Sequence, residues 1–232
     1  MPNDRVTIAT PAGPMSAYLA RPKSAAPAPV IVVLQEIFGV NAVMRQVCDR
    51  LAEQGYLAIC PDLFWRIEPG IDISDQSEAE WKKAFSLFNA FNVDTGVEDI
   101  AATIDQIRRD PGCSGKVGAV GYCLGGLLSW LTATRTTADA SVGYYGVGLE
   151  NHLGEAERLR RPAMLHIAEE DGFTPKEAQT RIEAGLSANP HVTLYTYPGC
   201  DHAFARPGGQ HFDAAAAETA NARTAAFFKA NL

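Results

Sequence analysis

The pentapeptide Gly-Tyr-Cys-Leu-Gly at residues 121–125 is the feature that most constrains the fold of this chain. It matches the Gly-X-Ser-X-Gly nucleophile elbow, with cysteine at the position that serine usually occupies. An apolar run at 117–120 precedes it and a largely apolar run at 126–131 follows it, so the context predicts a strand, a sharp turn and a helix. The flanking glycines let the strand and the helix approach closely. The alternative interpretation is a buried core cysteine beside a helix-packing glycine.

Composition indicates one globular domain and argues against several other classes of protein. The 232 residues are 47% apolar, which is enough for the core of a single domain over residues 1–232. A formal charge of −7 argues against a nucleic-acid partner, and no apolar run approaches the ~20 residues of a membrane span. Residues 1–5 lack the apolar segment of a signal peptide, so we expect a cytoplasmic protein. Five irregularly spaced cysteines indicate reduced thiols, and none forms a C-x-x-C zinc pair.

Hydrophobic patterning alternates between strands and helices along the chain. The β-branched run at 30–34 is typical of a strand buried on both faces of a parallel sheet, and Asn41 is placed to cap a helix that ends at Gly55. This alternation predicts an α/β fold with a mostly parallel central sheet and helices on both faces. We expect further strands at residues 6–9, 16–20, 56–60, 141–145, 163–168 and 192–197, and further helices at 78–91, 97–109, 175–186 and 212–230.

Three residues with complementary chemistry follow predicted strands in a suggestive order. Cys123 comes first, Asp171 lies 48 residues further on, and His202 follows after another 31. Nucleophile, acid and histidine in this order is the arrangement of α/β hydrolases. Glu169 and Glu170 are rivals of Asp171, because any of the three acids could serve as a helix-entry charge. Asp171 is preferred because it is nearest to the predicted start of the next helix.

His202 is the histidine best placed to act as a base. It lies in the loop directly after the last strand, and an imidazole there can take a thiol proton and return it to a leaving group. The alternatives are a surface loop histidine or a chance metal-like cluster with Cys200 and Asp201. We expect His166, within an apolar strand, to be a core residue. The remaining histidines, expected at the surface or at helix caps, are His152, His191 and His211.

Several strings along the whole chain together resemble the dienelactone hydrolase (carboxymethylenebutenolidase) family. They are Leu-Gln-Glu-Ile-Phe-Gly at 34–39, Cys-Pro-Asp-Leu at 60–63, the elbow region at 118–126, Val-Gly-Tyr-Tyr-Gly at 142–146 and His-Ala-Phe-Ala-Arg at 202–206. The resemblance implies the α/β-hydrolase fold and a Cys-Asp-His triad formed by Cys123, Asp171 and His202. It also implies hydrolysis of dienelactone to maleylacetate in the degradation of chloroaromatic compounds.

The resemblance also implies roles for residues outside the triad. Glu36 matches a glutamate that contacts the nucleophile in the resting enzyme, and Arg206 matches an arginine that binds the substrate carboxylate. The alternative for Arg206 is a solvated arginine without a role. The oxyanion hole of this fold uses the amides of Leu124 and Ile37. We further expect the substrate pocket to be lined by Phe38, Phe85, Phe88 and Tyr145.

One departure from the family pattern concerns the predicted helix at 78–91. Well-known members carry a second carboxylate-binding arginine there, whereas this helix has none. Lys82 or Lys83 could supply a point charge, but without the planar fork of arginine. Phe85 and Phe88 lie three residues apart and could line an apolar pocket or belong to the core. The substrate can therefore differ from dienelactone.

These observations predict a cysteine hydrolase of a small lactone or ester. We expect acyl transfer through Cys123 without a metal or an organic cofactor, in a monomeric enzyme whose partner is the small-molecule substrate. One alternative is a carboxylesterase of the same fold that acts on a neutral ester. An alternative from another class is a non-catalytic redox sensor in which Cys123 is the sensing thiol.

Overall fold

A computed structural model describes residues 3–232, with side chains from residue 5 onward. The chain divides into two compact units, the first ending at Ala119 and the second running from Val120 to Leu232. Part of the segment used in the signal-peptide argument, residues 1–2, lies outside the described residues. None of the helices in the described part of the chain has the length and apolar character that crossing a membrane requires.

The first unit contains a four-strand arrangement in the order β1-β2-β4-β3. Strands β1 (Asn3–Thr10) and β2 (Gly13–Ala20) form an antiparallel hairpin, as the sequence predicts. Strand β3 (Ala28–Leu34) lies parallel to β4 (Leu57–Pro61), and β2 pairs with β4 antiparallel. The fully buried run from Val30 to Leu34 confirms the prediction of a strand covered on both faces.

Three helices belong to the first unit: α1 (Ala42–Glu53), α2 (Glu78–Ala90) and α3 (Val93–Ile107). Asn41 caps α1 by accepting a hydrogen bond from the Met44 amide, as predicted. The predicted start of α3 at residue 97 is wrong, because Asn92 caps the helix and Gly96 lies inside it. A Cβ atom at Gly96 would lie 2.3 Å from the Phe91 ring, so a larger residue there would have to displace that ring, although glycine lowers helix propensity.

Strand β5 (Cys113–Tyr122) begins in the first unit and ends in the second. The second unit continues with α4 (Leu124–Arg135), β6 (Ala140–Tyr144), β7 (Ala163–Ala168), α5 (Lys176–Leu186), β8 (Val192–Tyr197) and α6 (Ala214–Asn231). Strands β6, β7 and β8 are neighbours in parallel register. Helix α4 is buried along its whole length from Leu124 to Thr134. These bounds agree closely with the prediction, except for two short 3₁₀ helices, Leu149–Asn151 and Leu153–Arg158, that the sequence did not indicate.

His166 is a core residue on β7, as predicted, and it is hydrogen-bonded on both sides of its ring. Its Nδ1 lies 2.8 Å from the Tyr197 hydroxyl and its Nε2 lies 3.0 Å from Oγ1 of Thr224 on α6. The Thr224 hydroxyl in turn lies 2.6 Å from the Tyr144 hydroxyl. Burial, together with the nearby charge of Arg223, lowers the pKa of His166 to about 3. This neutral imidazole therefore joins three strands to α6.

Candidate active site

The turn between β5 and α4 holds Cys123 in a strained backbone conformation. Its φ of 56° and ψ of −115° are rarely adopted by residues other than glycine. The Cys123 amide donates to the Tyr144 carbonyl at 3.1 Å, and the Cys123 carbonyl accepts from Gly126 at 2.9 Å. A Cβ at Gly121 would lie 1.8 Å from the Gly125 carbonyl oxygen, so this crossing requires glycine. The geometry is that of the elbow that the sequence predicts.

Asp171 and His202 meet at the ends of neighbouring parallel strands. Asp171 follows β7 and His202 follows β8, and both side chains are almost fully buried. The Nδ1 atom of His202 lies 2.9 Å from Oδ2 and 3.1 Å from Oδ1 of Asp171. Oδ1 of Asp171 also accepts hydrogen bonds from the amides of Phe173 and Thr174. The carboxylate is therefore held rigidly while it orients the imidazole.

The rival acids lie elsewhere. Glu169 accepts a hydrogen bond from the Gly199 amide at 3.1 Å, and the Glu170 carboxylate pairs with Lys176 at 3.2 Å on the surface. The structure thus brings Asp171, the preferred candidate, to the imidazole.

The Cys123 thiol is hydrogen-bonded to the His202 side chain, which completes a chain from sulfur to imidazole to carboxylate. Burial alone would lower the pKa of His202. The negative charge of an ionised Cys123 and the hydrogen bonds to Asp171 and Cys123 outweigh that effect and raise the pKa to about 10. The protonated imidazole is therefore stabilised when a negative charge resides on sulfur, as nucleophilic attack by a thiolate requires.

Two aromatic rings flank the imidazole of His202. The centroid of the buried Tyr145 ring lies 5.0 Å from that of His202, and the Phe173 centroid lies 4.8 Å away on a side chain that is 46% exposed. The sequence singled out Tyr145 but missed Phe173, whose only signal was its position two residues after the candidate acid. Strand β6 ends at Tyr144, one residue before the predicted end, because the positive φ of 38° at Tyr145 does not fit an extended strand.

Arg206 and Leu124 also belong to the second unit. Arg206 is only 7% exposed, which does not fit the alternative of a solvated surface arginine. Leu124 is the first residue of α4, where amides have no partner within the helix.

In the first unit, Glu36, Ile37 and Phe38 lie two to four residues after the end of β3 and are buried. Phe38 packs edge-on against Trp81 with centroids 5.1 Å apart, and Trp81 stacks on Phe85 at 5.5 Å.

Helix α2 presents several candidate side chains to solvent. Phe85 is 40% exposed and Phe88 is half-buried, so the interpretation of Phe85 as a core aromatic is wrong. Lys83 forms an ion pair with Glu68, while Lys82 is exposed.

Comparisons with known proteins place this chain in a family. A sequence model of the dienelactone hydrolase family matches residues 15–232. The chain is 50% identical over 223 residues, covering 95% of both chains, to an Azospirillum brasilense protein provisionally named as a carboxymethylenebutenolidase. It is 45% identical over 198 residues to the carboxymethylenebutenolidase of Pseudomonas putida, covering 85% of this chain and 84% of the other.

A solved structure shows the same architecture. A Klebsiella pneumoniae protein provisionally named as a dienelactone hydrolase superposes with a TM-score of 0.86 at 28% identity, covering 98% of each chain. The central sheet, the covering helices and the elbow agree with the predicted fold class. The chain belongs to the dienelactone hydrolase family of carboxylic ester hydrolases, with the α/β-hydrolase fold.

Proposed function

We propose that this protein hydrolyses a small lactone or ester through a thioester on Cys123, with His202 as the base and Asp171 as the acid that orients it. The observation that carries the proposal is the hydrogen-bonded chain from the Cys123 thiol through His202 to Asp171, at a strained strand-to-helix turn. The names of the relatives support a lactone or ester as substrate.

The proposed reaction has two stages. His202 takes the thiol proton of Cys123, and the thiolate attacks the substrate carbonyl carbon. The amides of Leu124 and Ile37 stabilise the resulting oxyanion. Its collapse breaks the C–O bond, and the leaving oxygen receives the proton from His202. A water molecule, deprotonated by His202, then attacks the thioester and releases the acid and the thiol.

The proposed substrate carries a carboxylate, as dienelactone does. Arg206 is the proposed partner of that carboxylate, because a buried arginine offers a planar fork of donors. Tyr145 flanks the imidazole, and the exposed ring of Phe85 on α2 offers apolar contact in place of a second arginine. Phe38 and Phe88 are also proposed to contact the substrate.

The proposal also covers control of the nucleophile, the oligomeric state, the cellular location and the cofactor requirement. Glu36 is proposed to contact the protonated Cys123 thiol in the resting enzyme, as the family resemblance implies, and substrate binding is proposed to break that contact. The enzyme is proposed to act as one monomeric domain in the cytoplasm, without a metal or an organic cofactor.

A hydrolysis screen tests the proposal. The wild type is compared with Cys123→Ala on a dienelactone and on p-nitrophenyl acetate, and Cys113→Ala serves as the control because Cys113 lies at the start of β5, away from the elbow. We expect dienelactone turnover that falls at least ~10³-fold in Cys123→Ala and is unchanged in Cys113→Ala.

Other outcomes would select the alternatives. Turnover of the neutral ester alone would indicate a carboxylesterase with another substrate. Absence of turnover on both substrates, with stoichiometric reaction of Cys123 with peroxide, would indicate a redox sensor.

A further inference from the structure

Asp201 makes contacts that tie together the loops carrying the acid and the base. Its Oδ1 atom accepts hydrogen bonds from the His202 amide at 2.6 Å and from the Gly172 amide at 3.1 Å. Gly172 is the residue directly after Asp171, so a single oxygen atom contacts the main chain beside both members of the pair. The other oxygen, Oδ2, lies 3.1 Å from Nδ1 of His211.

We propose that Asp201 is a positioning residue for the reaction, whose carboxylate fixes the distance between Asp171 and His202. This inference rests on the proposed function. Asp201 does not touch the reacting atoms but acts through the main chain of the two loops.

The sheet alone does not hold these two loops together. The parallel pairing of β7 with β8 ends at Ala168 and Tyr197, before either catalytic candidate. Beyond that point two main-chain links remain: the Glu169 amide donates to Tyr197 at 3.1 Å, and the Glu170 amide donates to Cys200 at 2.8 Å. Further along the two loops, the bond from the Gly172 amide to the Asp201 side chain links the main chain beside Asp171 to the residue before His202.

The carboxylate form suits this role. Burial alone would raise the pKa of Asp201, but the hydrogen bonds from the His202 and Gly172 amides and the charges of His211 and His202 hold it below its usual value. Amide bonds to an ionised acceptor are stronger than those to a neutral one, and misplacing a catalytic group by about 1 Å can cost roughly 100-fold in rate.

The ion pair with His211 contributes little by comparison. The two side chains are 41% and 39% exposed, and such pairs are weak because water screens them. The two oxygen atoms of Asp201 thus differ in role: Oδ1 holds the loops, whereas Oδ2 contacts a surface histidine.

Three variants, together with Asp213→Ala as a stability control, test the inference by steady-state hydrolysis of p-nitrophenyl acetate. Asp201→Ala removes the acceptor and should lower kcat about 10- to 100-fold while KM changes less than about twofold. Asp201→Asn keeps an oxygen that can accept both amide bonds and should stay within about threefold of the wild type. His211→Gln should match the wild type.

Asp213→Ala is the matched control for stability. Asp213 caps α6 by accepting from the Ala216 amide at 2.9 Å, so its loss should lower Tm by about 2–4 °C without changing kcat. A wild-type kcat in Asp201→Ala, equal losses in Asp201→Ala and Asp201→Asn, or a loss of kcat in Asp213→Ala as large as in Asp201→Ala would overturn the positioning role. If Cys123→Ala remains active, the proposed function itself fails, and the two failures are thus distinguishable.

Discussion

The buried imidazole of His166 predicts a specific dependence of stability on pH. The pKa of His166 falls from an ordinary value of 6.5 to about 3 in the folded protein, because burial disfavours the charged ring. Below pH 6.5 the unfolded chain binds a proton that the folded protein cannot accept. The free energy of unfolding therefore decreases as pH falls from 6.5 toward 3, and it stops changing below the folded pKa.

The size of the effect follows from the same values. Between pH 7 and pH 5, His166 should remove about 2 kcal/mol from the free energy of unfolding. The value of about 2 kcal/mol depends only on the pKa of His166 in the unfolded chain, provided that its pKa in the folded protein is below about 4. The full range down to the folded pKa corresponds to about 5 kcal/mol.

The assay is urea unfolding followed by circular dichroism at pH 7 and pH 5, for the wild type and for His166→Gln. Glutamine does not titrate, so the loss of stability between the two pH values should be about 2 kcal/mol smaller in the variant. This double difference is insensitive to a uniform destabilisation by the substitution. His191→Gln removes an exposed histidine and should behave like the wild type. An identical pH dependence in His166→Gln and the wild type would refute the reasoning.

Three further substitutions test the candidate site. Arg206→Ala should reduce kcat/KM roughly 10- to 150-fold on an anionic lactone through a higher KM, because it removes a charge-assisted contact; an equal loss on a neutral ester would contradict carboxylate binding. Glu36→Gln should lower kcat and change the rate at which resting Cys123 is alkylated, and the gating role fails if neither rate changes. Gly121→Ala should abolish soluble expression, since its Cβ would lie 1.8 Å from a carbonyl oxygen, whereas Gly154→Ala, with no atom within 4 Å, should express normally; soluble Gly121→Ala would disprove the steric argument.

Much of the fold could be predicted because its elements follow from local chemistry. The β-branched run at 30–34 is typical of a buried strand, and the structure has that strand there; Asn41 caps a helix in the predicted place. Helix α3 begins at Val93, four residues before the predicted start, and it includes Gly96, a poor helix former that packs closely against the Phe91 ring. The two 3₁₀ helices after β6 have no periodicity that a sequence pattern could reveal.

Some residues of the candidate site could likewise be predicted from the sequence, and others could not. Cys123, Asp171 and His202 could be found because their chain order and their positions after strands carry a signal. The roles of Asp201 and Phe173 could not be found, since they depend on contacts with residues 29 positions away in the chain. Sequence patterns predict which catalytic residues are present, whereas the residues that position them are identified only from contacts between loops in the folded structure.

The burial of α4 limits where this enzyme can accept substitutions that alter its substrate preference. Cys123 sits at the start of a helix with no exposed side from Leu124 to Thr134, so substitutions there disturb packing throughout the second unit. We therefore expect the α4 amides to be among the slowest to exchange with deuterium. We expect new substrate preferences to arise instead by substitution in the loops at 169–175 and 198–212, while the sulfur atom of Cys123 stays in place.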